Sequence, residues 1–176
     1  MIPSIFLNKY ELIEQELKGD IYYDKIKEMD IRNMAEMAWN RGIDEAKKYK
    51  KHEIIELTKN EGIKIEVDKI HYTPGYIIFS QITSNEKKIT IYMKNIENKF
   101  IPSIPDKYSL WKDENKLLNL FICHEYYHCL EYYHIGFTSD IYKVNIKFGF
   151  FILKKGLNSL NEIAAHAFVK EFYDIW

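Results

Sequence analysis

Five residues, His124-Glu125-Tyr126-Tyr127-His128, constrain this chain more than any other feature of its sequence. Two histidines four positions apart on a helix lie about 40° apart around the axis and about 6 Å along it. Their imidazole nitrogens can then converge on one ion at about 2.0–2.1 Å each. Glu125 lies about 100° round from His124, placed to hydrogen-bond a water on that ion and take its proton rather than to ligate. With six His and 17 Glu among 176 residues, composition alone gives about 0.02 such matches. Leu117, Leu120, Phe121 and Tyr127 share the histidine face, so the metal-binding face continues an apolar stripe.

A catalytic zinc site needs a third protein ligand and an open position. His134 stands ten residues after His124, where the pattern H-E-x-x-H-x-x-G-x-x-H has its last histidine. That pattern breaks its helix at Gly, and here the position is Glu131, a helix former. On a continuous helix His134 would project about 80° away and about 15 Å along the axis, out of reach. Every Met lies before residue 94, so no downstream Met-turn is available. The other candidate is Glu162, in Asn161-Glu162-Ile163-Ala164-Ala165-His166. This segment resembles the N-E-x-x-S-D helix of the gluzincins, whose Glu is the third zinc ligand; Ala165 replaces its Ser and His166 its Asp. The resemblance gives His166 a role in orienting a ligand histidine or in contacting substrate. Against ligation, Ser159-Leu160-Asn161-Glu162 also fits a capping box that would occupy Glu162 at a helix start. Cys123 and Cys129 flank the pair on other faces and are expected to be buried, unreactive thiols; two cysteines exclude a disulfide-built scaffold.

The rest of the chain supplies support. Ile26, Met29, Ile31, Met34, Met37 and Ala38 recur at helical spacing and predict a core-facing helix reaching about Lys50 despite Gly42. A second helix, from His52 to Glu61, stops at Gly62. Alternation then predicts strands at Ile63–Asp68, at Tyr76–Thr83 after the turn Thr73-Pro74-Gly75, and at Lys88–Met93, the last two as a hairpin. Pro102 and Pro105 mark a loop over 98–112. Asp113 can cap a helix to about His134, and Ser159 another to about Tyr173; 135–158 carries no clear pattern. The expected fold class is α+β, one zincin-like domain over 1–176 with a small, mostly antiparallel sheet. Residues 1–112 would be its support and 113–176 its metal centre. A net charge of -1 disfavours a nucleic-acid module. No apolar run spans a bilayer and no leader pattern opens the chain, so a cytoplasmic protein without membrane contact is expected. With 27 Ile, 23 Lys and only two Arg, the composition bears the mark of an AT-rich bacterial genome.

Taken together, H-E-x-x-H on a helix, a preceding small sheet, an N-terminal helical stretch and the E-x-x-A-(polar)-x-F run from Glu162 to Phe168 resemble the ImmA/IrrE family of metallopeptidases over residues 28–173. The resemblance implies a zincin fold and zinc-dependent endopeptidase activity on a bound protein or peptide, often a transcriptional repressor. Many relatives add a helix-turn-helix domain; none is expected here beyond the catalytic core. The expected cofactor is Zn2+, held by His124, His128 and Glu162, with Glu125 as general base. A peptide is expected to pair with an exposed sheet edge, for which Lys88–Met93 is the candidate strand. His71, Tyr72, Tyr76, His134 and Tyr142 are candidates for the oxyanion donor, and the many tyrosines for lining a peptide cleft. Two rivals remain: a non-catalytic zinc-binding regulatory module, and a metal-dependent hydrolase of a non-peptide substrate.

Overall fold

The computed structural model describes residues 2–26, 28–72 and 77–176, without the side chains of Glu28 and Met29. The turn at Thr73-Pro74-Gly75, the oxyanion candidate Tyr76 and the placement of the Met29 side chain therefore lie outside the described residues. The first helix, α1 (Lys9–Lys18), went unread in the sequence although its signals are local. Asn8 accepts from the Tyr10 and Glu11 amides, and the Glu11 carboxylate accepts from the Asn8 amide at 3.3 Å, closing a capping box. Leu12, Ile13 and Leu17 form its buried face.

Helix α2 (Glu28–Tyr49) runs without a break through Gly42. Ile31, Ala35, Ala38, Trp39 and Ala46 are buried and Met34 packs half-buried against them, whereas Met37 is exposed, so the core face is carried by Ile, Ala and Trp more than by the methionines described. Gly42 has a packing reason: a Cβ there would come within 2.1 Å of the Ala164 carbonyl oxygen on a later helix. Helix α3 (Ile54–Asn60) ends at Gly62, whose φ of 69° needs a residue without a Cβ.

Three strands follow, β1 (Lys64–Asp68), β2 (Ser80–Thr83) and β3 (Lys88–Tyr92). β2 and β3 form the expected hairpin, with Ile82 opposite Ile89. β1 instead runs parallel to β3, pairing Ile65 with Ile89 and Val67 with Ile91. The sheet is thus mixed, in the order β1-β3-β2. β3 is its centre, with Ile89 and Ile91 fully buried, and not the exposed edge that the sequence suggested. The loop expected over 98–112 is wound into short helical turns at Ile96–Phe100, Ile101–Ser103 and Asp106–Lys112. Pro102 fits because the first turn of a helix needs no amide donor.

Helix α4 (Glu114–Leu130) starts at Asp113, whose side chain accepts from the Lys116 amide at 2.9 Å. It is buried on more than the expected stripe, since Ile122, Cys123, Tyr126, Cys129 and Leu130 are also covered. A wide π turn over Glu131–Ile135 carries it on to Gly136. Strands β4 (Lys143–Phe148) and β5 (Phe151–Gly156) make a separate antiparallel hairpin in the segment without a clear sequence pattern. Helix α5 (Asn158–Tyr173) closes the described architecture. Its N-cap is Leu157, not Ser159; the Ser159 hydroxyl donates to Asp20 Oδ2 at 3.1 Å, so the capping box at Glu162 does not form. Buried Lys170 on α5 donates to the Ile5 carbonyl at 2.8 Å, and burial together with the like charge of Lys107 holds its pKa down to about 8. No described helix is long and apolar enough to cross a membrane.

Candidate metal centre

Helices α4 and α5 bring the three expected ligands together, although 38 residues separate His124 from Glu162. His124 Nε2 lies 3.3 Å from His128 Nε2 and 3.2 Å from Glu162 Oε2, and His128 Nε2 lies 3.4 Å from Glu162 Oε1. Two ligands at about 2.05 Å on a tetrahedral ion sit about 3.3 Å apart, the separation of the two imidazole nitrogens, and the Glu162 carboxylate turns one oxygen to each of them. Two imidazoles and one carboxylate also match the donor set of an open zinc site, and the three residues form one metal-competent group. Such a group fits a divalent ion.

The protonation of the cluster follows from its hydrogen bonds. Burial alone would raise the Glu162 pKa, but hydrogen bonds and charge from His124 and His128 outweigh it and hold the carboxyl well below its usual range. Burial alone would depress His128, but Glu131 and Glu162 outweigh that and hold it well above the ordinary histidine value. A cation entering among these atoms would replace that proton charge, so uptake would release protons.

Glu131 was read from the sequence only as a helix former; it does more. It is fully buried, and its Oε2 accepts from His128 Nδ1 at 3.1 Å. Its Oε1 accepts from the Thr138 amide at 2.8 Å and hydroxyl at 2.5 Å. The Thr138 hydroxyl has one proton, given to Glu131, so it accepts from Arg41 at 2.9 Å and from the Tyr127 hydroxyl at 3.1 Å. Arg41 also donates to the Ile135 and Gly136 carbonyls at the end of the π turn. With Nδ1 engaged in this way, His128 presents Nε2 to the site, which is how a buried carboxylate fixes a ligand histidine. A carboxylate three residues after the second histidine, on the same helix, was the available signal. Glu131→Gln should fold and lose about ten- to a hundredfold in zinc affinity, measured by competition with a chromophoric chelator; unchanged affinity would remove Glu131 from the centre.

Glu125 is buried beside the three ligands, and its Oε1 accepts from the Ser80 hydroxyl at 2.6 Å. Ser80 opens β2, the outer strand next to the site. The ligands and Glu125 line a cleft of about 960 Å³. One wall is β2 with Ile77, Ile78 and Phe79 before it, the floor is Leu120 and Phe121 on α4, and the other wall is residues 2–5 with Gln15 and Glu16 of α1. His166 is also in the cleft, its ring 4.9 Å from that of His124. Its Nε2 faces Glu16 Oε1 at 3.4 Å, and its buried Nδ1 has no hydrogen-bond partner among the described residues. Glu16 in turn accepts from the Ser4 hydroxyl at 2.5 Å. Burial alone would raise the Glu16 pKa, but His166 and Ser4 hold it lower. Ser80, Glu16 and Arg41 show that the first half of the chain reaches into a centre expected to be built from the second half alone.

Several expected residues stand elsewhere. His134 is turned away and pairs with Glu61 Oε2 at 2.9 Å. His71 is exposed and bonded to Asp68, and neither it nor Tyr72, His134 or Tyr142 lines the cleft. Among the described residues no tyrosine lines it either; isoleucine and phenylalanine do. Cys123 and Cys129 are free and buried, and burial pushes the Cys129 thiol up to about 12, as expected of inert cysteines. No family model matches this chain, and neither a curated protein nor a solved structure matches it.

Proposed function

We propose that the chain is a zinc-dependent endopeptidase, with His124, His128 and Glu162 as ligands and Glu125 as general base. The observation that carries this reading is the convergence of two imidazole nitrogens and the Glu162 carboxylate on one point, beside a further buried carboxylate, Glu125, held by the Ser80 hydroxyl. A divalent ion held there supplies Lewis-acid chemistry, lowering the pKa of water and polarising a carbonyl. Glu125, fixed by the Ser80 hydroxyl, takes the proton of the attacking water and passes it to the leaving amine. The free edge of β2 offers its backbone to an extended peptide, which would lie between that strand and the ligands. Ile78, Phe79, Ile82 and Phe121 suit apolar side chains of such a peptide.

That the substrate is a regulatory protein such as a transcriptional repressor rests on the resemblance to the ImmA/IrrE family. The test is incubation of the zinc-loaded protein with the repressors encoded beside its gene and with unfolded casein, with and without chelator. Chelator-sensitive cleavage at defined bonds is expected. A protein that binds zinc tightly and cleaves none of them is instead the non-catalytic regulatory module, and cleavage of small esters alone points to a non-peptide hydrolase.

A further inference from the structure

We propose that the tip of the β4–β5 hairpin docks the protein on an anionic lipid surface. The inference is independent of the metal centre and departs from the expectation of no membrane contact. Phe150 at the turn is fully exposed, and Phe151, Ile152 and Leu153 are 74%, 63% and 54% exposed. Phe151 and Leu153 point to one face of β5 and Ile152 to the other, because side chains alternate along a strand. A partner with one flat face would cover half of them. A bilayer interface closes around a tip from all sides.

The charges agree. From Ile141 to Asn161 the sequence holds Lys143, Lys147, Lys154 and Lys155 and no Asp or Glu, in a chain whose net charge is -1. Lys143 reaches Asp140 only at 4.0 Å, and Lys155 lies over the Tyr22 ring. Lys147 and Lys154 make no ion pair among the described residues. They stand three and four residues from Phe150, about 10 and 13 Å back along the strands. Apolar groups of interfacial proteins sit about 5–10 Å into the headgroup and acyl boundary, so these lysines fall at the level of the phosphates. Lys154 and Lys155, on the edge strand β5, also oppose edge-to-edge pairing with a second copy.

The stem is held firmly enough to project the tip. Val144 and Ile146 are buried, Ile26 bridges to Ile146, and Tyr22 meets the Phe148 ring edge-on at 6.4 Å. At the other end of β5, Lys155 and Gly156 line a recess shared with Glu16 and Glu162. Hairpin and candidate centre therefore belong to one continuous surface.

The full chain should co-sediment with vesicles of one part phosphatidylglycerol to three parts phosphatidylcholine at low salt, and only weakly with pure phosphatidylcholine. High salt should weaken the first interaction. Phe150→Ser with Phe151→Ser should abolish sedimentation without changing the melting temperature, since both side chains are exposed. Lys147→Gln with Lys154→Gln should weaken it about 30-fold, from about a fivefold contribution per lysine. Failure of the unaltered chain to bind anionic vesicles overturns the proposal, as does equal binding to pure phosphatidylcholine or undiminished binding by the tip variant. A dimer in solution that Phe150→Ser converts to monomer, with no vesicle binding, would assign the tip to self-association instead.

Discussion

Glu125→Gln should bind zinc as the unaltered chain does and lose about 10²–10⁴ in kcat, the range typical of a general base. The amide is isosteric and can still accept from Ser80 through its oxygen, so the cleft wall at β2 should be undisturbed. Glu125 is not among the three residues whose donor atoms form the metal-competent group, so the ion should remain. What is lost is the capacity to accept a proton from water. Kinetics and metal content are therefore measured on the same preparation. Full hydrolysis with full zinc would remove Glu125 from the reaction and with it the peptidase reading. Loss of both would make the residue a part of the ion's holding site instead of its base.

Glu162→Ala should lose most of its zinc at a stoichiometric metal supply, while His134→Ala keeps it. The reasoning is geometric: Glu162 offers oxygens at 3.2 and 3.4 Å from the two imidazole nitrogens, and His134 is committed to Glu61. Removing one of three protein ligands leaves two imidazoles on one helix, too few to hold zinc against competing chelators. Together with Glu131, the carboxylate also stabilises the charged His128, so a second readout is available. With Glu162 removed, the His128 pKa in the metal-free protein should fall, followed by NMR titration. Retained zinc in Glu162→Ala together with loss in His134→Ala would reverse the assignment.

The pairing of the two candidate histidines is legible in the sequence because helix periodicity is local. His124 and His128 need only one another and 3.6 residues per turn, and Asp113 and Gly62 announce helix ends within a few positions. Glu162 was legible by its resemblance to a known pattern, and the structure removes the rival cap by giving Ser159 to Asp20. What could not be read was order in space. Strand alternation marks β3 as a strand, yet nothing in Lys88–Tyr92 says that β1 returns parallel on one side and leaves β2 as the edge. Ser80, Glu16 and Arg41 reach the centre through such long-range placement, separated from it by 45 to more than 90 residues in the case of Ser80 and Arg41. Glu131 was a local signal misread, since its side chain acts on the helix turn before it. The capping box at Asn8 and Glu11 is likewise a local signal, written within four residues.

Gly42 gives the centre a tolerance set far from the cleft. Its hydrogen lies where a methyl group would stand 2.1 Å from the Ala164 carbonyl oxygen and 3.0 Å from the Ala167 side chain. Ordinary contact would need the two helices to part by about 1 Å or more. Ala164 is two residues from Glu162, and metal–ligand distances hold within about 0.2 Å. A single carbon added to α2 there would therefore move Glu162, the proposed third ligand, by several times the error such an ion would accept. The distance between two helix backbones is the gauge against which this site is cut, and loss of metal can originate at a position that touches neither metal nor substrate.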